Sequence, residues 1–172
     1  MIKSQWLSYV GTLMLFTGVS FSLLTAIRGL STHITTLHFG VAGNMTVPIL
    51  EPSLWPPRDF RIWVSASNEV DLLILDESES ISFFNGKEPR PLKEYSDLRG
   101  NIVIFEIPIR GKYGLLVRNR RETIVDGEVV ITIYGFEKDL VLVSILTLTA
   151  GAVLLAVGYL TLRMRKTTQE HA

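Results

Sequence analysis

Two long runs without one charged side chain constrain this chain more than any other feature. Trp6–Ile27 supplies 22 consecutive uncharged, largely apolar residues, and Leu140–Leu162 supplies 23 more. An α-helix rises about 1.5 Å per residue, so either run can cross the roughly 30 Å hydrocarbon core of a bilayer. Hydrocarbon offers a backbone no hydrogen-bond partner, so a spanning segment must be helical. The runs therefore predict transmembrane helices at residues 6–27 and 140–162, with residues 28–139 as a domain between them. A core helix of a soluble protein is the poorer reading, because core helices of this length seldom lack every charge.

Lys3 precedes the first run, so a cleaved signal peptide is the alternative there. The run exceeds the usual apolar length of about 7–15 residues, and no A-x-A-like cleavage site follows it. Both facts favour an uncleaved signal anchor. Lys and Arg near the membrane ends set orientation. Lys3 flanks the first run, and Arg163, Arg165 and Lys166 flank the second. The inner flanks carry only Arg28 and Lys138, and Lys138 stands between Glu137 and Asp139. The expectation is a two-pass cell-membrane protein with residues 1–5 and 163–172 cytoplasmic and residues 28–139 extracytoplasmic. Trp6 and Tyr159 would lie at the cytoplasmic interface. Neither run holds Asp, Glu, Lys, Arg or His, which argues against an ion or proton pathway.

Small residues recur every seven positions in both runs: Gly11, Gly18 and Thr25 in the first, Ser144, Gly151 and Gly158 in the second. Seven residues are nearly two helical turns, so each set lines one stripe and would let backbones approach closely. The stripes predict packing between the two helices or against a partner's helices. The ordinary abundance of Gly, Ser and Thr in membrane helices is the competing explanation.

The net charge is zero, but its distribution is uneven. Residues 28–139 hold 13 basic and 16 acidic side chains, while the ends hold four basic residues against Glu170. No basic excess is present to attract nucleic acid. The chain has no cysteine, which removes thiolate nucleophiles, iron–sulfur clusters and cysteine metal sites, and leaves the middle domain to stand on its core alone.

Strand signals fill that middle domain. Candidates are Ile34–Val41, Met45–Leu50, Phe60–Ala66, Glu69–Leu75, Ser80–Phe84, Asn101–Ile109, Lys112–Arg118 and Glu128–Phe136. Glu51–Asp59, with three prolines, and Lys87–Arg99 read as loops. Arg110-Gly111 would join its neighbours as a hairpin. The predicted fold class is two transmembrane α-helices flanking an all-β domain, an antiparallel sandwich or jelly roll of about eight strands.

The stretch Phe105-Glu-Ile-Pro-Ile-Arg-Gly111-Lys-Tyr113-Gly-Leu-Leu-Val117-Arg-Asn119 resembles a recurring element of membrane-anchored sandwich domains, in which a strand ends in a Gly turn and a Tyr strand and an Asn follow. It is similar to the Golgi-dynamics (GOLD) domain of eukaryotic cargo receptors, and closer still to archaeal membrane proteins with the same helix–sandwich–helix layout. The cysteine pair and coiled-coil stalk of the cargo receptors are absent here. The resemblance implies a sandwich fold and a binding or assembly role.

No residue pattern points to a catalytic or cofactor site. His33 and His38 fall on opposite faces of a strand, and His171 is in the tail. Asp76-Glu77-Ser78-Glu79 does not follow the calcium-loop spacing and reads as a solvated turn. Arg118, Arg120 and Arg121 could hold an anion or lipid headgroups, or form a solvated tip facing Glu122 and Asp126. No G-x-S-x-G or Gly-rich phosphate loop occurs. Asn44-Met45-Thr46 is a glycosylation sequon on the expected outer side. Trp55-Pro56-Pro57 offers either a contact anchor or a plug for the end of the sandwich.

These readings lead to a non-enzymatic accessory or structural subunit of a larger membrane complex, partnered by the bilayer and other membrane proteins and without cofactor or nucleic acid. A stand-alone surface module for a protein or glycan ligand is the alternative, and a membrane-bound enzyme the third.

Overall fold

The structure is a computed structural model that describes the backbone of residues 2–170 and the side chains of residues 6–164. The order of elements is α1 (Ile2–Leu30), β1 (His33–Val41), β2 (Thr46–Trp55), β3 (Asp59–Asp76), α2 (Glu77–Phe84), β4 (Lys93–Glu106), β5 (Gly111–Arg118), β6 (Val125–Tyr134) and α3 (Lys138–Glu170). Contacts divide the chain into two compact units, the pair of terminal helices and the β-domain Ser31–Gly135.

Within the helical unit, α1 and α3 run antiparallel. Gly11 faces Gly151 and Leu155, Gly18 faces Leu148, and Gly29 faces the ring of Phe136. The approach is backbone to backbone: a Cβ on Gly151 would stand 2.8 Å from the Leu15 nitrogen. Away from this seam the apolar side chains point outward. The spans Trp6–Leu30 and Lys138–Met164 have mean hydropathies of 1.8 and 2.6, yet only 17% and 11% of their apolar windows are buried. Both helices are long and apolar enough to cross a membrane. Their exposed hydroxyls are satisfied within the helix. Thr12, Thr17, Ser20, Thr147 and Thr149 each donate to the carbonyl four residues back, at 2.7–2.9 Å.

The β-domain is one curled antiparallel sheet of six strands. Its spine is β3, which has 18 residues. β4 pairs along one side of β3, while β6 takes the first half of the other side and β5 the second half. β1 adds to β6 and β2 to β5. The β3–β4 ribbon breaks register between Ser65 and Val70, and Asp97 adopts φ 57° at that corner. A bulge bends a strand pair, and this one folds the sheet onto itself. Alternation then places Phe60, Ile62 and Val64 of one half against Leu72, Ile74, Leu115 and Val117 of the other, all at most 2% exposed, in a single core.

Several local expectations are corrected. There are six strands rather than eight, because Phe60–Ala66 and Glu69–Leu75 are one bent strand and β4 absorbs much of the Lys87–Arg99 loop together with Asn101–Glu106. The prolines at 48 and 52 do not end β2, an edge strand that carries register shifts at both places. Ser80–Phe84 is helical, not extended. Asp76 caps α2 by accepting the Glu79 amide at 2.9 Å, and Glu77 and Glu79 suit its first turn. β4 and β5 do not form a hairpin about Arg110-Gly111; both pair with β3 instead.

Candidate functional site

The bent sheet has two outer faces, and they differ. On the outer face of the β3–β5 half, Leu73, Leu75 and Leu116 are at most 2% exposed and pack under Phe83 of α2. Gly114 makes that cover possible, since a Cβ there would stand 2.8 Å from Ser80 Oγ. The outer face of the other half, on strands β1, β6, β3 and β4, has no such roof within the β-domain.

Strand register defines what this open face carries. One cross-strand row is Thr36, Val130, Trp63 and Ile102, and the next is Ile34, Thr132, Arg61 and Ile104. Ile34, Ile102 and Ile104 are 60–66% exposed. Trp63 and Val130 are half-buried between their neighbours. The guanidinium of Arg61 lies 5.6 Å above the Tyr134 ring, and no carboxylate pairs with it among the described residues. The third row is polar, with His38, Glu128, Ser65 and Gly100. An apolar centre with a Trp, rimmed by Arg, Tyr and polar groups, has the composition of a protein-binding surface.

The remaining expected sites fall elsewhere. Gly11, Gly18, Thr25, Ser144, Gly151 and Gly158 are all buried within the helical unit. Asn44 is exposed in the β1–β2 turn with φ 57°. Trp55 is 5% exposed, stacks on Phe60 at 4.5 Å and donates to Ser53 Oγ, so it plugs the core and is no contact anchor. His33 and His38 lie on opposite faces of β1. His38 Nδ1 is 3.9 Å from Glu128 Oε2, in a shallow hollow of about 470 Å³. Ser67 in that hollow is engaged through Oγ by the Asp126 amide. His171 lies outside the described residues. Among the described residues no three His, Asp or Glu side chains are grouped to hold a metal.

Arg118, Arg120 and Arg121 do not face Glu122 and Asp126. Asp71, 2% exposed, accepts Arg118 Nε at 3.0 Å and lies 2.5 Å from Arg120 Nε. Its other oxygen takes the Asp97 amide at the bulge, at 3.3 Å. Glu94 pairs with Arg118 and Arg120, and Glu69 with Arg121. This lattice neutralises a buried carboxylate and holds the corner, so the three arginines serve the fold. Asp76 is likewise structural: the Glu79 amide and then the Ser78 hydroxyl hold its carboxyl below the ordinary value. Two further groups serve the fold: Arg58, which carried no sequence signal, and Asn119, which the sequence offered only within the resemblance to sandwich domains. The guanidinium of Arg58, 5% exposed, donates to the carbonyls of Ser31 and Gly135 at 2.9 and 2.8 Å, clasping the first and last residues of the β-domain. Asn119, 1% exposed, donates to the carbonyls of Val41, Ala42 and Thr123 and accepts the Arg121 amide.

No family model matches the sequence, and no curated protein matches it. Solved structures similar to it include a periplasmic inhibitor of g-type lysozyme from Aeromonas hydrophila, at 17% identity over 60% of this chain and 88% of that one, with a TM-score of 0.42. A low-affinity xylan-binding module from Roseburia intestinalis is 8% identical over 61% and 96% of the two chains, with a TM-score of 0.41. A designed double-stranded β-helix is 10% identical over 56% and 97%, with a TM-score of 0.35. Likenesses at these scores carry no argument about function.

Trp63 was legible as an outward residue. The alternation that buries Ile62 and Val64 must turn Trp63 to the opposite face. What the sequence lacked was any sign that this face, and not the one under α2, stays open.

Proposed function

We propose that this chain is a non-enzymatic, membrane-anchored accessory subunit whose β-domain docks a partner protein through the open face around Trp63. The observation that carries the reading is the difference between the two outer faces, one roofed by α2 and the other bare. The partner surface would be apolar, with a carboxylate placed to meet Arg61. Such a residue would supply the carboxylate that Arg61 lacks among the described residues.

The helices supply the anchor. Outward apolar side chains over two full helical lengths are untenable in water and suit a bilayer. In the proposed topology α1 is an uncleaved signal anchor, both termini are cytoplasmic and Ser31–Gly135 is outside. The basic excess at the chain ends supports that orientation. The small-residue stripes, including Gly11, Gly18, Thr25, Ser144, Gly151 and Gly158, would hold the two spans together.

The test is gentle detergent extraction of the tagged chain from its native membranes. A stoichiometric protein partner should co-migrate with the wild type and be lost from a Trp63→Ser/Ile102→Asp variant that keeps its thermal stability. A lone monomer for the wild type, or a partner retained by the variant, would refute docking through this face.

A further inference from the structure

We propose that Asn44 is an acceptor for an N-linked glycan. The inference rests on the extracytoplasmic placement of the β-domain proposed above. Asn44 sits at the tip of the short turn between Val41 and Thr46 and is exposed. Its backbone is used by the fold: φ is 57°, and the amide donates to the Arg121 carbonyl at 2.9 Å. Its side chain is not used. The carboxamide makes no hydrogen bond among the described residues, and neither does the Thr46 hydroxyl two positions on.

Asn119, in the adjoining loop, gives the contrast. Its carboxamide bonds three carbonyls and one amide, so removing it would unpair buried groups. A left-handed backbone explains why residue 44 is Asn, Asp or Gly. It explains neither the free carboxamide nor the threonine at 46, where β2 begins opposite Arg118. Glycan acceptance uses both: an accessible Asn nitrogen and a hydroxyl at the second residue after it.

The co-reactant is an oligosaccharide carried on a lipid pyrophosphate. The Asn44 amide nitrogen attacks C1 of the first sugar and a C–N bond forms. The C1–O bond breaks, the lipid pyrophosphate leaves with the electron pair, and the amide gives up one proton. No group is oxidised or reduced. Asn44 lies at the end of the β-domain where β1 finishes and β2 begins. Ile34, Arg61 and Ile104 lie towards the other end of their strands, so a glycan at Asn44 leaves the open face clear.

The experiment expresses the full chain in a cell whose secretory membranes carry an oligosaccharyltransferase. The readout is a gel shift reversed by an amidase that cleaves N-glycans, with a glycopeptide mass spectrum locating the sugar. The wild type should be modified at Asn44, and Thr46→Val should abolish the shift. An internal control separates site from topology: Lys87→Thr, in the Thr46→Val background, turns exposed Asn85 into an acceptor in the same domain. Modification of Asn85 in the control but not of Asn44 in the wild type overturns the inference while the topology stands. Modification of neither overturns the inference and the topology together. If Asn44 is modified but the glycosylated chain loses the protease resistance of the unmodified chain, the site is not one the folded domain tolerates, and the inference again fails.

Discussion

The phenol of Tyr95 donates a 2.8 Å hydrogen bond to the carbonyl of Ile104, although both residues belong to β4 and stand nine positions apart. In a straight strand nine steps would separate them by about 30 Å. The bond therefore exists only because β4 turns a corner with β3 near Asp97 and folds its two ends towards each other. It links the two halves of the curled sheet through β4, which pairs with β3 alone.

Tyr95→Phe should lower the stability of the β-domain by about 1 kcal/mol, the usual net worth of such a bond. Urea denaturation of the full chain in detergent measures it. Burial pushes the Tyr95 phenol above its ordinary value. A group whose folded value is raised contributes stability below the unfolded value of about 10, and that contribution is lost as pH rises through the folded value. The wild type should therefore lose stability more steeply than Tyr95→Phe above about pH 10. Equal alkaline slopes would count against that burial.

At Gly151 the helical seam is backbone against backbone, with Leu15 nitrogen and Gly11 oxygen 2.8 and 3.0 Å from where its Cβ would be. Backbone cannot yield as a side-chain tip can. Gly151→Leu should destabilise the α1–α3 pair by about 1–3 kcal/mol or more, read as a fall in thermal midpoint in detergent. Val153→Leu, on the exposed side of the same helix, should leave the midpoint unchanged.

Asp76 both ends β3 and caps α2. Asp76→Ala should cost about 1 kcal/mol and uncover Leu73, Leu75 and Leu116, read as faster hydrogen exchange in β3 and β5. The carboxyl value is lowered in the folded state, chiefly by the Glu79 amide and next by Ser78. Its contribution is thus full above the unfolded value of about 3.9 and disappears as pH falls through the folded value. The wild type should approach the stability of Asp76→Ala only below about pH 4.

Much of the architecture was readable from local pattern. The charge-free runs predicted the terminal helices, and the alternation of residues 60–66 is enough to turn Ile62 and Val64 inward. The unbroken apolar run at 72–75 is the pattern of a strand buried on both faces, and Leu72 and Leu73 do lie in different clusters. The strand count was not readable, because a bulge and a loop look alike when only turn-forming residues are counted. Nor was α2, whose eight residues are too few for a helical period to declare itself. The candidate face was half legible: the direction of Trp63 follows from its neighbours, but its openness depends on where α2 lies.

Sequence alone determined that this chain has two apolar helical segments bracketing a β-domain, because hydropathy and strand alternation are properties of neighbouring residues. Only the tertiary structure decided which polar groups belong to the fold and which stand free. Arg118, Arg120, Asp71, Asn119 and Arg58 are spent on partners within the fold that lie from 4 to 78 positions away in the chain. Among the described residues Arg61 has no carboxylate partner and the Asn44 carboxamide makes no hydrogen bond. A hydrogen bond or ion pair forms where the bent sheet brings two groups within about 3 Å, and separation along the chain carries no trace of that distance.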